Sequence, residues 1–221
     1  MTSLEADLRL ASLPVEAFLT KLADNRPVPG GGSAIALAGA MAGALTCMVT
    51  GLTIGRERYA DNQQQVSSLR ARACMLRERL TALVDEDAQA YQAVIKAYSL
   101  PKVTEADGNL RTAEIRRALH HAAEVPLEAA EACAELIDLA GTAATLGNRN
   151  AAGDSAVAAL LAQAAMRGAV LTVRINLDGL QDPLATTATE ARLTQLLDTG
   201  EVALARALGV AGLGDSAFVS R

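Results

Sequence analysis

The sequence contains few aromatic residues and no excess of basic ones. It has two Phe, three Tyr and no Trp among 221 residues, and 20 Lys and Arg stand against 25 Asp and Glu. Proteins that bind nucleic acids usually need a basic surface, and many stack bases on aromatic rings. The net charge of −5 and the five aromatic side chains therefore argue against a nucleic-acid-binding function.

Cysteine and histidine are also scarce, and their spacing matches no known site. Cys47, Cys74 and Cys133 form no C-x-x-C pair and no zinc pattern. His120 and His121 are adjacent in a polar stretch, which favours an exposed helix end over a catalytic base or a metal ligand. We predict small buried thiols and no metal site.

The first residues have no basic stretch followed by an apolar core, so we predict no signal peptide. With unpaired cysteines, this pattern indicates a cytoplasmic location.

Alanine is abundant, with 47 residues, about one in five. Because alanine favours helices and is poor in strands, the composition indicates an all-α protein with closely packed helices. Since 51% of the residues are hydrophobic, a mostly disordered chain is excluded. No low-complexity linker divides the sequence. We therefore predict a single domain over residues 1–221, a multi-helix bundle of about seven helices with long central ones.

Hydrophobic periodicity, proline and glycine place the helices. The predicted ranges are 15–24, 34–54, 63–98, 105–121, 125–145, 154–175 and 186–208. Segment 34–54 has no charged residue, so a membrane-spanning helix is an alternative. Its many Ala, Gly and Thr residues favour a central buried helix instead. Small residues recur in it every four positions and predict a close helix contact: Gly39, Gly43, Cys47, Gly51 and Gly55.

Asp87 is the first candidate for chemistry. It occupies one position of an otherwise apolar seam that includes Leu80, Leu83, Ala90 and Val94. A carboxyl group there should face packed surface, and burial would raise its pKa toward the range useful for acid–base catalysis. The alternative is that Asp87 belongs to a solvated acidic patch. Tyr91 lies one turn further on the same face and could stack on an aromatic substrate or simply fill the core.

Two glycine-rich connections provide the other candidates. Gly30, Gly31, Gly32 and Ser33 precede a helix, with Ser33 as the predicted N-cap, and free amides there could hold an anion or a carbonyl oxygen. The stretch matches neither the dinucleotide motif nor the P-loop, and could be only a turn.

The second connection carries Asn148, Asn150 and Asp154. Two amides and a carboxylate could bind a heterocycle, or could serve as turn residues and a helix cap.

Several short motifs, in this order, resemble the cyclodeaminase/cyclohydrolase family, which acts on one-carbon derivatives of tetrahydrofolate. The similarity runs from about residue 15 to residue 208. The motifs are Pro27-Val28-Pro29-Gly30-Gly31-Gly32-Ser33, Gly39-Ala40-Met41, Met48-Val49, Leu52-Thr53-Ile54-Gly55 with Tyr59, Asp87-Ala88-Gln89-Ala90-Tyr91 with Leu100-Pro101, Gly147-Asn148-Arg149-Asn150 with Asp154, and Ile175-Asn176-Leu177.

The resemblance implies an all-α, formiminotetrahydrofolate cyclodeaminase-like fold and a homodimer with its active site near the subunit interface. It implies a tetrahydrofolate substrate, no metal and no further cofactor. The catalytic aspartate of the family falls on Asp87. Substrate contacts are expected at Gly30, Gly31, Gly32, Ser33, Tyr91, Asn148, Asn150 and Asp154.

Three functions agree with this resemblance. The leading hypothesis is a methenyltetrahydrofolate cyclohydrolase, in which Asp87 deprotonates the attacking water. The alternative is a formiminotetrahydrofolate cyclodeaminase, which passes through the same ring and releases ammonia. A helical dimer that binds folate without turnover is the third.

Overall fold

The computed structural model describes residues 9–180 and 183–212, without the side chains of 183–185. Within these ranges the regular structure is helical throughout, which confirms the all-α prediction. The α-helices are α1 Val15–Leu22, α2 Gly31–Gly51, α3 Gln63–Tyr98, α4 Glu105–Leu146, α5 Ala152–Leu180 and α6 Pro183–Val210. Short 3-10 segments cover Leu10–Ser12, Glu57–Asn62 and Arg149–Ala151. The single-domain prediction also included residues outside the described ranges.

Helix α4 is the centre of the bundle and packs against α2, α3, α5 and α6. Helix α2 packs against α3, α4 and α5, but its predicted burial on all sides was wrong, because one face with Met41 and Met48 is exposed. The core is aliphatic and rich in alanine. Its largest fully buried side chains include Leu80, Leu83, Leu136, Ile137 and Met166. The small size of alanine lets these long helices pack at short distances.

The predicted close helix contact is confirmed along α2. A Cβ atom added at Gly43 would lie 2.9 Å from the Cβ of Arg77, and one at Gly39 would lie 2.7 Å from the Sγ of Cys133. Both distances are too short for real contacts. The glycine positions therefore allow α3 and α4 to approach α2 where a larger residue would hold them apart.

The prediction of two helices over 105–121 and 125–145 was wrong, because α4 continues through Pro126. Proline has no N–H group, so it leaves the carbonyl oxygen four residues earlier without its usual partner. That oxygen belongs to Ala122 and accepts a hydrogen bond from the side-chain amide of Asn176 on α5 at 2.5 Å. A donor from a neighbouring helix thus replaces the missing backbone bond, which the periodicity of α4 alone could not show.

We expect Asn176→Leu to lower the free energy of unfolding by about 1–3 kcal/mol, because the Ala122 carbonyl would lose its partner in a partly buried place. Urea unfolding followed by circular dichroism measures the change. Asn109→Leu on the exposed side of α4 is the matched control. Equal stability of the two variants would contradict a supporting role for Asn176.

Two helical stretches, Gly31–Gly51 and Arg149–Leu180, are long and apolar enough to cross a membrane by length and composition. Half or slightly more of each apolar window, 50% and 56%, is buried inside the bundle. The core helix of a soluble protein shows the same properties, so these stretches are weak evidence for a membrane protein.

Candidate active site

The structure places Asp87 against the first turn of α2. The Ser33 hydroxyl donates a hydrogen bond to Oδ2 of Asp87 at 3.0 Å, across 54 residues of sequence. Ser33 is fully buried, whereas Asp87 is half-buried between the buried seam residues Leu83 and Ala90. The expectation that the seam directs this carboxyl group toward packed surface is confirmed.

Gly32 is required for this contact. A Cβ atom at position 32 would lie 1.9 Å from Oδ1 of Asp87 and 2.4 Å from its Cγ, closer than any side chain permits. Gly31, by contrast, is exposed, and a Cβ atom there would meet nothing within 4 Å. The carboxyl group therefore lies directly against α2 at Gly32, and the space beside Gly31 is open to a ligand.

Helix α2 begins earlier than predicted. Gly30 is its N-cap residue, so Ser33 lies within the first turn and is not the cap. The first amides of a helix lack intrahelical partners and carry the positive end of the helix dipole. Because helix formation starts at Gly31, these amides face the same region as Asp87.

The environment of Asp87 raises its pKa above the ordinary value of 3.8. Burial is the largest cause because it disfavours the charged form, while hydrogen bonds from the side chain and backbone of Ser33 act in the opposite direction. A carboxyl group with a raised pKa can both accept and return a proton closer to neutral pH. The sequence predicted the direction of this shift from burial, but not the opposing hydrogen bonds from Ser33, which lies 54 residues away.

We expect Ser33→Ala to raise the pKa of Asp87 further, because the carboxylate would lose its hydroxyl donor while remaining buried. If ionised Asp87 is the general base, the acidic limb of the kcat profile should move to higher pH. A pH series of initial rates measures the shift, with Ser99→Ala, an exposed serine that follows the end of α3, as the control. An unchanged acidic limb in folded Ser33→Ala would contradict this coupling.

The second group of candidate residues lies at the opposite end of α2. The backbone N–H of Asn148 donates to Oγ1 of Thr53 at 2.9 Å. Thr53 follows the end of α2, and twenty residues of helix separate it from Ser33 by about 30 Å. Within one chain, Asn148, Asn150 and Asp154 are therefore not brought together with Asp87.

The roles of this second group differ. Asn148 accepts a hydrogen bond from the backbone of Asn150 at 3.0 Å and so caps the short Arg149–Ala151 turn. The side chains of Asn150 and Asp154 are exposed. Asp154 lies within the first turn of α5, after the helix has begun at Ala152. Thr53 anchors this connection and was not among the sequence candidates, because its hydroxyl contact spans 95 residues.

Tyr91 extends the Asp87 face of α3 toward solvent. It is 41% exposed, so it does not fill the core, and its ring is accessible one turn from the carboxyl group. Among the described residues, no three His, Cys, Asp or Glu side chains are grouped to hold a metal ion.

This geometry agrees with the comparison of the chain with known proteins. The family model described as formiminotransferase-cyclodeaminase matches residues 14–195, which is most of the sequence. The chain belongs to this family. The glycine turn, Asp87 and the Asn148 connection all fall within the matched family segment.

Individual members of the family have two different names. The chain is 42% identical to a methenyltetrahydrofolate cyclohydrolase of Methylorubrum extorquens, over 76% of this chain and 81% of the relative. It is 32% identical to the formimidoyltransferase-cyclodeaminase of Rattus norvegicus over 90% of its own length but only 37% of that longer protein.

A solved formiminotetrahydrofolate cyclodeaminase from Thermotoga maritima superimposes with a TM-score of 0.83 at 27% identity. The match covers 92% of this chain and 98% of that one. The predicted cyclodeaminase-like fold is thereby confirmed.

Proposed function

We propose that the protein is a methenyltetrahydrofolate cyclohydrolase that converts 5,10-methenyltetrahydrofolate to 10-formyltetrahydrofolate in one-carbon metabolism. The main observation is the half-buried Asp87, whose pKa is raised and whose carboxyl group meets the open first turn of α2. Similarity to the Methylorubrum extorquens cyclohydrolase over most of both chains supports this choice.

The proposed reaction begins with the cationic bridge that joins N5 and N10 of the substrate. Ionised Asp87 would favour this cation electrostatically and accept a proton from the water that attacks the bridge carbon. The product of this step is a neutral ring with one hydroxyl group. The carbon–N5 bond then breaks, Asp87 returns its proton to N5, and the hydroxyl proton leaves to solvent. The sum is one water consumed, one 10-formyl product formed and one proton released.

The first turn of α2 can assist this step. Partial negative charge develops on the oxygen that becomes the formyl group, and backbone N–H groups aimed at such an oxygen stabilise it. The unpaired amides near Gly31 and Gly32 are suited to that task because the space beside Gly31 is open. Tyr91, exposed on the same face as Asp87, would contact an aromatic part of the substrate.

A cyclodeaminase is the second candidate function. It is supported by the similarity to the Thermotoga maritima cyclodeaminase, which the chain covers almost completely. In this reaction N10 would attack the formimino carbon, Asp87 would move the protons, and ammonia would leave. Both reactions need one carboxyl group beside the same five-membered ring.

Two assays distinguish the functions. The purified protein is incubated with 5,10-methenyltetrahydrofolate, and loss of the methenyl absorbance is compared with that in a sample without enzyme. Ammonia release from 5-formiminotetrahydrofolate is measured in parallel. Faster hydrolysis without ammonia release supports the cyclohydrolase, and the opposite result supports the cyclodeaminase. Folate binding without either turnover would indicate a binding protein and contradict both.

We further propose that the protein is a homodimer in which each active site uses both chains. An apolar face of α2 is uncovered in the single chain, where Met41, Met48 and Leu52 are 47%, 41% and 40% exposed. Met41 marks the middle of α2. Two copies packed antiparallel along this face would share a twofold axis near that residue.

Such pairing would unite the two groups of candidate residues. Asp87 and Ser33 lie at the start of α2, and the Asn148–Asn150 connection lies beyond its end. Antiparallel packing places the start of one α2 beside the end of the other. One surface cavity of about 470 Å³ is lined by Thr20, Lys21, Ala23, Asp24, Arg26 and Val28, and neither Asp87 nor Ser33 lines it. A second copy would add the Asn148–Asn150 connection to the surface around Asp87.

Mixing two variants tests the shared site. Asp87→Asn changes a candidate residue on α3 beside the start of α2, and Asn150→Ala changes one in the connection near the other end of α2. Random pairing of the two should rebuild about a quarter of the composite sites, because half of the dimers are mixed and each contains one intact site. Turnover after unfolding and refolding the variants together is compared with turnover of each alone. No recovery, with a dimer seen by light scattering, would contradict a shared site.

A monomer by light scattering would contradict the proposed homodimer itself.

We propose in addition that the enzyme acts in the cytoplasm on a soluble folate and without a nucleic-acid or membrane partner. The acidic net charge and the buried sides of both apolar helices support this.

A further inference from the structure

Cys47 and Cys74 face each other across the contact between α2 and α3. Their Sγ atoms are 2.6 Å apart, although both cysteines are free thiols. They are 27 residues apart in sequence; Cys47 lies in the last two turns of α2 and Cys74 in the first third of α3. Neither residue takes part in the site around Asp87.

The glycine positions of α2 create this arrangement. Gly39, Gly43 and Gly51 share a stripe with Cys47, which is the member that carries a side chain. One turn before Cys47, the added Cβ of Gly43 would lie 3.1 Å from the Cα of Arg77. One turn after it, Gly51 leaves room for the guanidinium group of Arg70. The close approach of the two helix backbones at Gly43 lets the thiols of Cys47 and Cys74 meet across the contact, as a disulfide requires.

We propose that Cys47 and Cys74 form a redox-active dithiol that closes into an intramolecular disulfide when it reacts with a small-molecule disulfide. In the first step, the Cys74 thiol displaces one thiol from the small disulfide and forms a mixed disulfide. In the second step, Cys47 attacks the Cys74 sulfur and releases the second thiol. Two cysteine thiols are oxidised, one small disulfide is reduced to two thiols, and the cysteine protons pass to the departing thiolates.

Burial sets the order of these steps. Cys74 is half-buried, while Cys47 is buried, so a small molecule meets Cys74 first. Burial, followed by the interaction with Cys74, raises the pKa of Cys47 to about 12, while Arg77 and Arg70 partly oppose the shift. Cys47 therefore stays protonated in the reduced protein and does not attack a small disulfide itself. Once Cys74 is in the mixed disulfide, Cys47 gives its proton to the departing thiolate as its sulfur attacks the sulfur of Cys74. Proximity of the two sulfurs makes this second step effectively unimolecular.

The third cysteine provides an internal control. Cys133 is fully buried in α4, and burial raises the pKa of its thiol to about 12. Its Sγ faces Gly39, two turns of α2 away from Cys47. Cys133 is therefore not positioned to form a disulfide with Cys47 or Cys74.

The bridge would join the two helices that carry Ser33 and Asp87. Cys47 and Cys74 are 14 and 13 residues from these residues, about 20 Å along each helix. The cross-link closes a loop of 27 residues and so restricts the unfolded chain. We expect the oxidised protein to melt roughly 5–10 °C above the reduced protein.

The experiment uses the reduced, purified protein and oxidised glutathione as the probe. Free thiols are alkylated after denaturation, and peptides are mapped by mass spectrometry without reduction. The expected result is a linked Cys47–Cys74 peptide pair within one chain, with Cys133 alkylated and a higher melting temperature. Cys74→Ser and Cys47→Ala should each abolish the linked pair and the increase in melting temperature.

Three results would overturn the proposal: no linked pair in the wild-type protein, a bridge between two chains, or a bridge that includes Cys133. Because the wild-type map needs no variant, a variant that fails to fold does not affect it. The readout is independent of folate turnover and therefore of the proposed function.

Discussion

Asp87→Asn should lower kcat for methenyltetrahydrofolate hydrolysis by about 10²–10⁴-fold, because an amide cannot accept the proton of the attacking water. The substitution keeps the size of the side chain, and its amide oxygen can still accept the hydrogen bond from Ser33. The lower kcat should therefore reflect the loss of the proton acceptor and not a change in the packing of α2 against α3. The rate at which methenyl absorbance decreases at saturating substrate measures kcat.

Asp85→Asn is the matched control for this variant. Asp85 lies two residues earlier on α3, and its Oδ1 accepts the backbone N–H of Leu10 at 2.5 Å, a role that an amide oxygen can also fill. We expect near wild-type turnover for this control. Wild-type turnover in folded Asp87→Asn would remove Asp87 from the mechanism.

Stability provides a check on folding for the same variant. Because the pKa of Asp87 is raised in the folded protein, its stabilising contribution is fully present below its ordinary pKa of 3.8. That contribution is lost as the pH rises through the raised value. At neutral pH the buried charge therefore opposes folding, and Asp87→Asn should melt at or above the wild-type temperature. The difference in melting temperature between Asp87→Asn and the wild-type protein should disappear at acidic pH, where Asp87 is protonated and uncharged.

Gly32→Ala should reduce kcat by about 10²-fold, because a displacement of roughly 1 Å in a catalytic group can have that effect. The new Cβ would lie 1.9 Å from Oδ1 of Asp87, so either the carboxyl group or the first turn of α2 must move. Moving the carboxyl group also breaks its hydrogen bond with Ser33. Steady-state kinetics and melting temperature together measure the outcome.

Gly108→Ala is the matched control, since it adds the same methyl group in the first turn of α4 and meets nothing within 4 Å. It should retain activity and, as a glycine-to-alanine change in a helix, should not lower stability. If folded Gly32→Ala were as active as Gly108→Ala, the contact between α2 and Asp87 would not be needed for turnover.

Local patterns predicted the elements that depend on neighbouring residues. The Gln63–Tyr98 helix begins and ends as predicted, because an uninterrupted seam specifies one buried face. The failure at Pro126 has the opposite cause, since the donor that keeps α4 continuous is Asn176, more than 50 residues away. The early start of α2 was missed because glycine is a weak helix former and tertiary packing decides its conformation.

The sequence by itself determined the helical class, the close packing along α2 and the position of Asp87 on an apolar seam. These features follow from composition and from periods of three and four residues, which act within one helix. Only the tertiary structure decided that Ser33 and Gly32 meet this carboxyl group, that Asn148 lies at the other end of α2, and that two of the three cysteines meet. Each of these contacts joins residues far apart in sequence, and the packing of whole helices determines the distances between them.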